Sequence, residues 1–400
     1  MTGASLVEAA ELFTTMTGAE PEAVWSAPGR ANLIGEHTDY NEGFVLPFAV
    51  QNRTYAAIGR RSDGVIRVTS TFDPTPVEVA LVELRALFSG APGDAVTSGA
   101  VPEWAAYPLG VAWAAIEAHE RAANRAFGVD IAIASDVPVG AGLSSSAALE
   151  GAALAAIDWM WQIGLTPLDM AKVGRTAENI AVGAPTGIMD QVSSFMGETD
   201  SATFLDCRTL ETSTVDLGFA REGLEVLVID TRVTHAHSTG GYGERRASCD
   251  KGARELGVVS LRDVRMDDLD RAAETLDDVT FRRVRHIVTE NQRVLDTVDT
   301  LRAEGPRAIG GLLVQSHVSM RDDFEISVPE LDTAVTAALD AGAIGARMTG
   351  GGFGGSAIAI VERDQLAQTK TTIADAFERQ GFRAPRQFTV TASHGLLRDR

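Results

Sequence analysis

Lysine is nearly missing from this chain, which has Lys172, Lys251 and Lys370 as its only lysines among 400 residues. None of the three follows a glycine, so the chain holds no Walker A loop, because that phosphate-binding loop requires a Gly-Lys pair. The lysine of the VAIK strand that protein kinases use is missing as well. Any phosphorylated ligand of this chain must therefore be held by another device.

Cysteine is equally scarce, since only Cys207 and Cys249 occur. Two cysteines at no metal-ligand spacing argue against a thiolate metal centre and indicate reduced thiols in the cytoplasm. The first residues also lack the basic and apolar regions of a signal peptide. No apolar run reaches the roughly 18 residues of a membrane span, because the richest one, residues 151–164, contains Asp158. We therefore expect no membrane partner.

Positive charge is in deficit, with 35 Lys and Arg residues against 55 Asp and Glu residues and a net charge of −20. A nucleic-acid partner requires a basic face, so the charge balance argues against one.

The length of 400 residues exceeds what one hydrophobic core usually serves, so we expect two domains. The density of motifs changes after about residue 205, which predicts domains at 1–205 and 206–400. The sequence does not determine an oligomeric state, and a monomer is the favoured expectation.

What the chain does contain is a crowded polar stretch at residues 27–47, APGRANLIGEHTDYNEGFVLP. Charged side chains such as Arg30, Glu36 and Asp39 alternate there with glycines and apolar residues, which is typical of a site that grips a polar ligand. Carboxylates accept hydrogen bonds from hydroxyl groups, and an imidazole such as that of His37 donates or accepts. The stretch thus predicts a site for a polyol such as a sugar, with a structural polar cluster as the alternative.

A second motif, PVGAGLSSSA at residues 138–147, enters an alanine-rich helix predicted for residues 147–162. Its glycines let backbone N–H groups turn inward, and the N-terminus of the following helix carries a positive partial charge. Together these features form an anion site that needs no lysine. The serine hydroxyls add donors and can ligate Mg²⁺. The alternative is a glycine-rich loop whose serines only cap the helix.

A third motif, GAPTGIMDQ at residues 183–191, contains Asp190, and Glu178 precedes Asp190 by twelve residues. Two carboxylates near a phosphate loop can divide the work of phosphoryl transfer. One then holds Mg²⁺, while the other orients or deprotonates the attacking hydroxyl. Taken singly, each carboxylate is better explained as a structural residue, for example a helix N-cap, and it is their occurrence together with the serine loop that favours the functional interpretation.

A glycine run at residues 350–355 formally matches GxGxxG. The apolar residues that follow it predict a strand, whereas the dinucleotide-binding fingerprint opens a helix. The run therefore indicates a loop that closes over a ligand or another loop, with a tight turn as the alternative. His235 and His237 form an HxH pair, but no carboxylate or cysteine lies at suitable spacing, which favours a surface turn over a metal site.

Together these motifs resemble those of the galactokinase family. The motif at residues 27–40 is similar to the galactokinase signature. Those at residues 138–147 and 348–355 are similar to the second and third motifs of the wider GHMP kinases (galacto-, homoserine, mevalonate and phosphomevalonate kinases). The resemblance runs from about Phe13 to near the C-terminus. Its carriers in this sequence are residues 27–40, 103–107, 138–147, 242–246, 316–332 and 348–355.

The resemblance implies a fold and an activity. The fold is α+β with two domains, an N-terminal one like ribosomal S5 domain 2 and a ferredoxin-like C-terminal one, with the active site in the cleft between them. The activity is ATP- and Mg²⁺-dependent phosphorylation of the C1 hydroxyl of α-D-galactose, the first committed step of the Leloir pathway. The alternatives are a kinase for N-acetylgalactosamine or arabinose, and an inert sensor of galactose and ATP. The intact serine loop, Arg30 and Asp190 favour catalysis over sensing.

The resemblance also implies roles residue by residue. Asp190 matches the family's catalytic aspartate, and Arg30 matches the arginine paired with it. The residues that match the sugar pocket are Glu36, His37, Asp39, Gly187 and Tyr242. Those that match the nucleotide site are Trp104 and Tyr107 beside adenine, and Gly140, Ala141, Gly142, Leu143, Ser144, Ser145 and Ser146 around the triphosphate. Ser146 and Glu178 are the implied Mg²⁺ ligands.

Overall fold

Helices and strands are mixed along the whole chain in the computed structural model, which describes residues 3–233 and 238–400. The predicted α+β class is confirmed. The strands are β1 (Ala23–Asn32), β2 (Phe44–Val45), β3 (Pro47–Arg60), β4 (Val65–Ser70), β5 (Val77–Ala80), β6 (Val129–Ser135), β7 (Ser201–Asp206), β8 (Thr212–Asp216), β9 (Leu224–Asp230), β10 (Gly345–Thr349), β11 (Ser356–Glu362), β12 (Arg386–Val390) and β13 (Leu397–Arg398).

The helices differ widely in length, and short single turns connect several of them. They are α1 (Ala4–Thr17), α2 (Leu84–Leu87), α3 (Asp94–Thr97), α4 (Glu103–Ala118), α5 (Glu120–Arg125), α6 (Ser145–Trp161), α7 (Pro167–Ala177), α8 (Met189–Met196), α9 (Ser238–Leu256), α10 (Leu269–Thr275), α11 (Asp278–Glu304), α12 (Gly310–Asp322), α13 (Pro329–Asp340) and α14 (Leu366–Gln380). Among the described residues, no helix is both long enough and apolar enough to cross a membrane.

A six-stranded sheet in the order β13-β1-β3-β6-β4-β5 organises the first half of the chain. Successive side chains of a strand point to opposite faces, and β3 follows this rule. Ala56 and Ile58 join the core formed with α4, α6, α7 and α8, whereas Tyr55 and Ala57 pack against α1 on the other face. The central strands are therefore buried on both sides.

Helix α6, which is rich in alanine, approaches this sheet closely at Gly151. A Cβ added at Gly151 would lie 2.4 Å from the Phe195 ring and 2.8 Å from Cβ of Ala27. Larger side chains at this position would push the helix away from β1. The close approach sets the N-terminus of α6, beginning at Ser145, beside the end of β1.

A four-stranded antiparallel sheet in the order β10-β11-β9-β12 organises the second half. In chain order the connections are β9, helices, β10, β11, α14 and β12, which is the ferredoxin-like arrangement that the resemblance implies. One face carries helices such as α13 and α14. On the other face, Val228, Ile358 and Ile360 pack in one apolar layer with Leu33 and Leu46 from the first half.

The domain boundary near residue 205 stays a prediction. Two features of the structure cross it. β7 contains that residue and pairs with β2 on one side and β8 on the other, forming a separate three-stranded sheet. β13 returns from the far end of the sequence to pair with β1, with Trp25 opposite Arg398 and Ser26 opposite Leu397. The last residues of the chain therefore complete the first sheet.

The Ser-Asp-Gly sequence at residues 62–64 predicts a hairpin turn that pairs β3 with β4, and this prediction is wrong. β6 lies between the two strands, antiparallel to β3 and parallel to β4. A turn motif indicates where the chain reverses direction, but it does not determine which strand fills the neighbouring position. Here a strand from more than sixty residues later fills it.

Arg53 in β3 anchors the segment that leads into β13 to the first sheet. Its side chain is buried and donates to Oγ of Ser26 at 2.8 Å, to the carbonyl of His394 at 2.8 Å and to the carbonyl of Gly395 at 2.5 Å. Because Ser26 and Gly395 are buried, loss of the guanidinium leaves their acceptor atoms without this donor.

We predict that Arg53→Met lowers the free energy of unfolding by about 3 kcal/mol, since a hydrogen bond from a charged donor contributes about 1.5–3 kcal/mol. Urea denaturation followed by tryptophan fluorescence measures the change. The exposed Arg383 is the matched control, and Arg383→Met leaves the midpoint unchanged. Equal midpoints for the two variants would contradict the role given to Arg53.

Candidate active site

Two cavities meet at Ser146, near the N-terminus of α6. The first, the polar cavity, has a volume of about 260 Å³ and is lined by many charged and polar side chains; its lining residues are Arg30, Glu36, His37, Asp39, Ser146, Glu178, Thr186, Gly187, Met189, Asp190, Tyr242, Gly350 and Gly351. The second has a volume of about 340 Å³ and mostly apolar walls; its lining residues are Thr54, Phe72, Glu103, Trp104, Tyr107, Ser135, Val139, Ser145, Ser146 and Leu149. A ligand in one cavity can therefore reach a ligand in the other past Ser146.

The loop between the cavities turns its carbonyl groups into the protein. The Ala141 carbonyl accepts from Oγ of Ser356 at 2.7 Å, the Gly142 carbonyl from Nη1 of Arg30 at 2.6 Å, and the Leu143 carbonyl from the backbone N–H of Arg30 at 3.0 Å. With these acceptors occupied, the N–H groups of the loop and of the first turn of α6 are the polar groups left for an anion.

Left-handed backbone at three positions produces this orientation. Gly140 has φ 78°, Gly142 has φ 70°, and Ser144 has φ 49°, a conformation that only glycine adopts without strain. Ala141 and Leu143 are buried beneath the loop, whereas Ser145 and Ser146 line the cavities. Of the seven predicted loop residues, the structure thus brings Ser145 and Ser146 to the cavity walls and places the other five in the loop that precedes them.

Arg30 and Asp190 form a two-pronged ion pair at the floor of the polar cavity. Nε of Arg30 lies 2.8 Å from Oδ1 of Asp190, and Nη2 lies 2.9 Å from Oδ2. The Ser144 hydroxyl donates to the same Oδ2. Since Arg30 also holds the phosphate-loop carbonyl of Gly142, one guanidinium fixes both the carboxylate and the anion-binding loop.

Glu178 stands beside Ser146 at the junction, where α7 passes into a π-helical turn, Glu178–Val182. Its Oε2 accepts from the Thr186 hydroxyl at 2.7 Å and from Nε2 of Gln191 at 2.8 Å, and the Ser146 hydroxyl also bonds to the carboxylate. Burial and the nearby charge of Asp190 raise the pKa of Glu178. A cation at this position would favour the ionised form.

The donor atoms at Ser146 and Glu178 are oxygens, which suit a hard cation such as Mg²⁺. Mg²⁺ keeps several waters and takes only one or two protein ligands in phosphate-binding sites, so a hydroxyl and one carboxylate are sufficient. The described part of the chain contains no group of three or more His, Cys, Asp or Glu residues suited to a metal ion. His235 and His237 lie outside the described residues.

Glu36 lines the polar cavity but is fully occupied by protein donors. Its Oε2 accepts from Nδ2 of Asn32 at 2.8 Å and from the Arg347 guanidinium. Its Oε1 accepts from the Thr349 hydroxyl at 2.9 Å and from the Gly350 N–H at 3.0 Å. A carboxylate offers about four acceptor positions, so a ligand hydroxyl at Glu36 shares an oxygen with a protein donor.

His37 is held in a similar way. Its Nδ1 lies 2.8 Å from the Tyr40 hydroxyl and its Nε2 lies 3.2 Å from the Gly351 carbonyl, so Nε2 carries the proton and Nδ1 accepts. The residue adopts φ 63°, a left-handed conformation that these two contacts stabilise. Burial lowers the pKa of His37 to about 3, so the ring is neutral at physiological pH.

Asp39 is the carboxylate that faces Gly187. A Cβ added at Gly187 would lie 1.8 Å from Oδ2 of Asp39, so only glycine fits there. Oδ1 of Asp39 accepts from the Tyr40 N–H at 2.9 Å. Burial and the charge of Asp190 raise the pKa of Asp39 to about 6. Tyr242 closes the far side of the cavity, with its ring 4.9 Å from that of His37.

Several contributors to the site were missed by sequence reasoning. The Arg347 guanidinium donates to the Glu36 carboxylate. The Gln191 amide and the Thr186 hydroxyl donate to the Glu178 carboxylate. Gln191 and Thr186 adjoin predicted residues, but nothing in the sequence gives their orientation. Arg347 carried a usable signal, because a charged residue inside an apolar strand requires a buried partner.

Comparisons with known proteins connect this geometry to one family. The galactokinase galactose-binding signature matches residues 11–60, the N-terminal domain of the GHMP kinases matches residues 107–198, and their C-terminal domain matches residues 297–379. The chain is similar to the galactokinase of Streptomyces coelicolor, with 50% identity over 392 residues that cover 97% of each chain. It is 41% identical over 360 residues to the galactokinase of Homo sapiens, covering 89% of this chain and 88% of the human one.

The solved structures agree with this result. The galactokinase of Lactococcus lactis, crystallised with galactose, superimposes with a TM-score of 0.88 at 28% identity and covers 98% of this chain and 99% of its own. A mevalonate kinase superimposes with a TM-score of 0.62 at 15% identity and shares the fold, covering 92% of this chain and 98% of its own. The two-domain architecture that the sequence predicts is thus confirmed.

We predict that His37 and His286 stay neutral down to pH 5. Burial lowers their pKa values to about 3 and about 4, whereas a histidine of the unfolded chain titrates near 6.5. Acid below that value therefore protonates the unfolded state first and lowers the stability of the fold. NMR titration of the imidazole Cε1–H signals measures this, with His37→Gln and His286→Gln assigning the peaks. A midpoint above pH 5 for either ring would contradict the prediction.

Proposed function

The chain belongs to the galactokinase family of GHMP kinases, and on that premise we propose that it transfers the γ-phosphoryl group of ATP to the C1 hydroxyl of α-D-galactose. The products are galactose 1-phosphate and ADP. The observation that carries the proposal is the pair of cavities that meet at Ser146, one polar and one mostly apolar. The Arg30–Asp190 ion pair lies at the polar side of that junction.

ATP occupies the apolar cavity and the loop beside it. Adenine lies between Trp104 and Tyr107, whose rings supply apolar surface. The triphosphate follows the loop at residues 140–146 toward the junction. There the free N–H groups of the loop and the N-terminus of α6 balance its negative charge.

Galactose occupies the polar cavity, with Asp39 as its principal acceptor. The Asp39 carboxylate accepts hydrogen bonds from two sugar hydroxyls, next to Gly187 and Tyr242. Glu36 and His37 contact the sugar through the faces that they present to the cavity. Because protein donors and acceptors fix both side chains, they form a rigid wall that distinguishes one epimer from another.

Asp190 orients the C1 hydroxyl toward the γ-phosphorus. Its Oδ2 is shared by Arg30 and Ser144, whereas Oδ1 accepts only from Nε of Arg30 among the described residues. Oδ1 is therefore the oxygen that takes the hydrogen bond, and then the proton, of the attacking hydroxyl. A loose phosphoryl-transfer transition state requires little base strength, so positioning is the main contribution.

Arg30 acts on the transferring group itself. Three of the five guanidinium N–H groups bind Asp190 and the Gly142 carbonyl. We assign to the remaining two the stabilisation of negative charge on the equatorial oxygens of the phosphoryl group as it moves. The same side chain thus holds the acceptor carboxylate and the donor loop at a fixed separation.

Ser146 and Glu178 would hold Mg²⁺, which would neutralise negative charge on the phosphate groups of ATP. The support is the oxygen-only donor set at the junction and the position of Ser146 on both cavities. Thr186 and Gln191 orient the Glu178 carboxylate by their hydrogen bonds.

We also propose that the enzyme acts in the cytoplasm as a monomer. Cys207 and Cys249, which form no disulfide, support the location.

The test of the function is a sugar panel with Mg·ATP, in which ADP release is measured. We expect turnover with galactose and none with glucose. We also expect Asp190→Asn, which keeps the shape but loses the charge, to lower kcat by about a thousandfold, within the usual range for removal of a positioned proton acceptor. ATP binding by the variant, measured by calorimetry, stays close to that of the wild type.

Three outcomes would change the conclusion. If no sugar of the panel causes ADP release but galactose and ATP still bind, the protein is an inert sensor. A preference for N-acetylgalactosamine or arabinose would move the activity to a related sugar. Full activity of Asp190→Asn would remove Asp190 from the mechanism.

The pKa of Asp39, raised to about 6 by burial and by Asp190, predicts a pH-dependent affinity for galactose. The carboxylate accepts two hydroxyls only when ionised, so protonation raises the KM for galactose by about tenfold at pH 5 relative to pH 8. The KM for ATP serves as the internal control and stays flat. In Asp39→Asn the KM for galactose is high at every pH. A wild-type profile without this rise would exclude Asp39 as the main acceptor.

A further inference from the structure

We propose that Arg347 is a positioning residue for the sugar half of the site, acting through the backbone of residues 32–33 and through Glu36. The inference rests on the proposed function and assigns a role to a side chain outside both cavities. Arg347 lies in β10, fully buried, at the point where the second sheet meets the first half of the chain.

The guanidinium of Arg347 divides its donors between backbone and side chain. Nη1 donates to the carbonyl of Leu33 at 3.0 Å and to that of Asn32 at 3.2 Å. Nη2 donates to Oε2 of Glu36. One planar group therefore fixes both the start of the sugar-binding segment and the carboxylate within it.

Charges around Arg347 are balanced inside the protein. Glu290 of α11 lies 3.8 Å from Nη2 of Arg347 and accepts from the Gly35 N–H at 3.0 Å. Nε of Arg293 pairs with the other oxygen of Glu290 at 2.8 Å. Two carboxylates and two guanidinium groups thus form one buried network, in which only Arg347 contacts both Glu36 and the backbone.

The two halves of the active site are consequently held by different parts of the fold. Residues 32–36 are bonded to β10 and α11, whereas Arg30 is bonded to the phosphate loop and to Asp190. A defect at Arg347 therefore displaces sugar-binding groups such as Asp39 and His37 and leaves the nucleotide half in place.

The experiment is Arg347→Lys, which keeps the charge but replaces a planar fork by a single ammonium group that cannot reach the carbonyls and Glu36 together. We expect the KM for galactose to rise about tenfold, as for loss of one bidentate charged contact, and the KM for Mg·ATP to stay within about twofold. Arg53→Lys is the matched control, since Arg53 is likewise buried but contacts none of Glu36, Glu290 and residues 32–33. Its KM values stay at the wild-type level.

A second measurement needs no substrate. Hydrogen exchange followed by mass spectrometry reports faster exchange in peptides covering residues 33–44 of Arg347→Lys, with unchanged exchange at residues 138–147. If Arg347→Lys does not fold, Thr349→Val removes another donor to Glu36 and gives the same selective change in smaller degree.

Equal increases in both KM values, or faster exchange across the whole protein, would reduce Arg347 to a general stabilising residue and overturn the proposal. Unchanged KM and unchanged exchange would do the same. Failure of the proposed function is a separate result, because the wild type then turns over no galactose while the exchange measurement still tests the link between Arg347 and residues 33–44.

Discussion

Burial of the Glu36 carboxylate is the constraint on which the rest of the site depends. A buried carboxylate requires donors at close range, and here they come from Asn32 in the first half of the chain and from Arg347, Thr349 and Gly350 in the second. The two domains must therefore meet at this residue before its charge is satisfied. The same set of hydrogen bonds fixes the wall that Glu36 contributes to the polar cavity.

Much of the site was predictable because its residues are concentrated in short motifs. Residues 27–47, 138–147 and 183–191 each carried a chemical signature, and the structure brings all three to the junction at Ser146. The absence of a Gly-Lys pair was as useful as any motif, since it left the serine loop as the candidate phosphate-binding device. Because each motif is confined to a short stretch of the chain, its residues could be recognised from the sequence alone.

Partners that lie far apart in the sequence were beyond such reasoning. Arg347 and Glu36 are separated by 311 residues, and no local pattern connects them. The same limit explains the wrong hairpin at residues 62–64, because β6 enters the sheet from a later part of the chain. That protein donors occupy the oxygens of Glu36 is likewise visible only in the structure. A sequence shows which side chains can bind a sugar but not which of them already have protein partners.

The pairing of β13 with β1 has a consequence for how the protein is made. β1 holds Arg30 and occupies the second position of its sheet, yet the strand on its outer side is formed by residues 397–398. The outer edge of β1 thus stays open during translation until residues 397–398 have been synthesised, and an open edge is a template for unwanted pairing. The nascent chain therefore exposes a strand edge that pairs late, and this exposed edge favours aggregation before synthesis reaches β13.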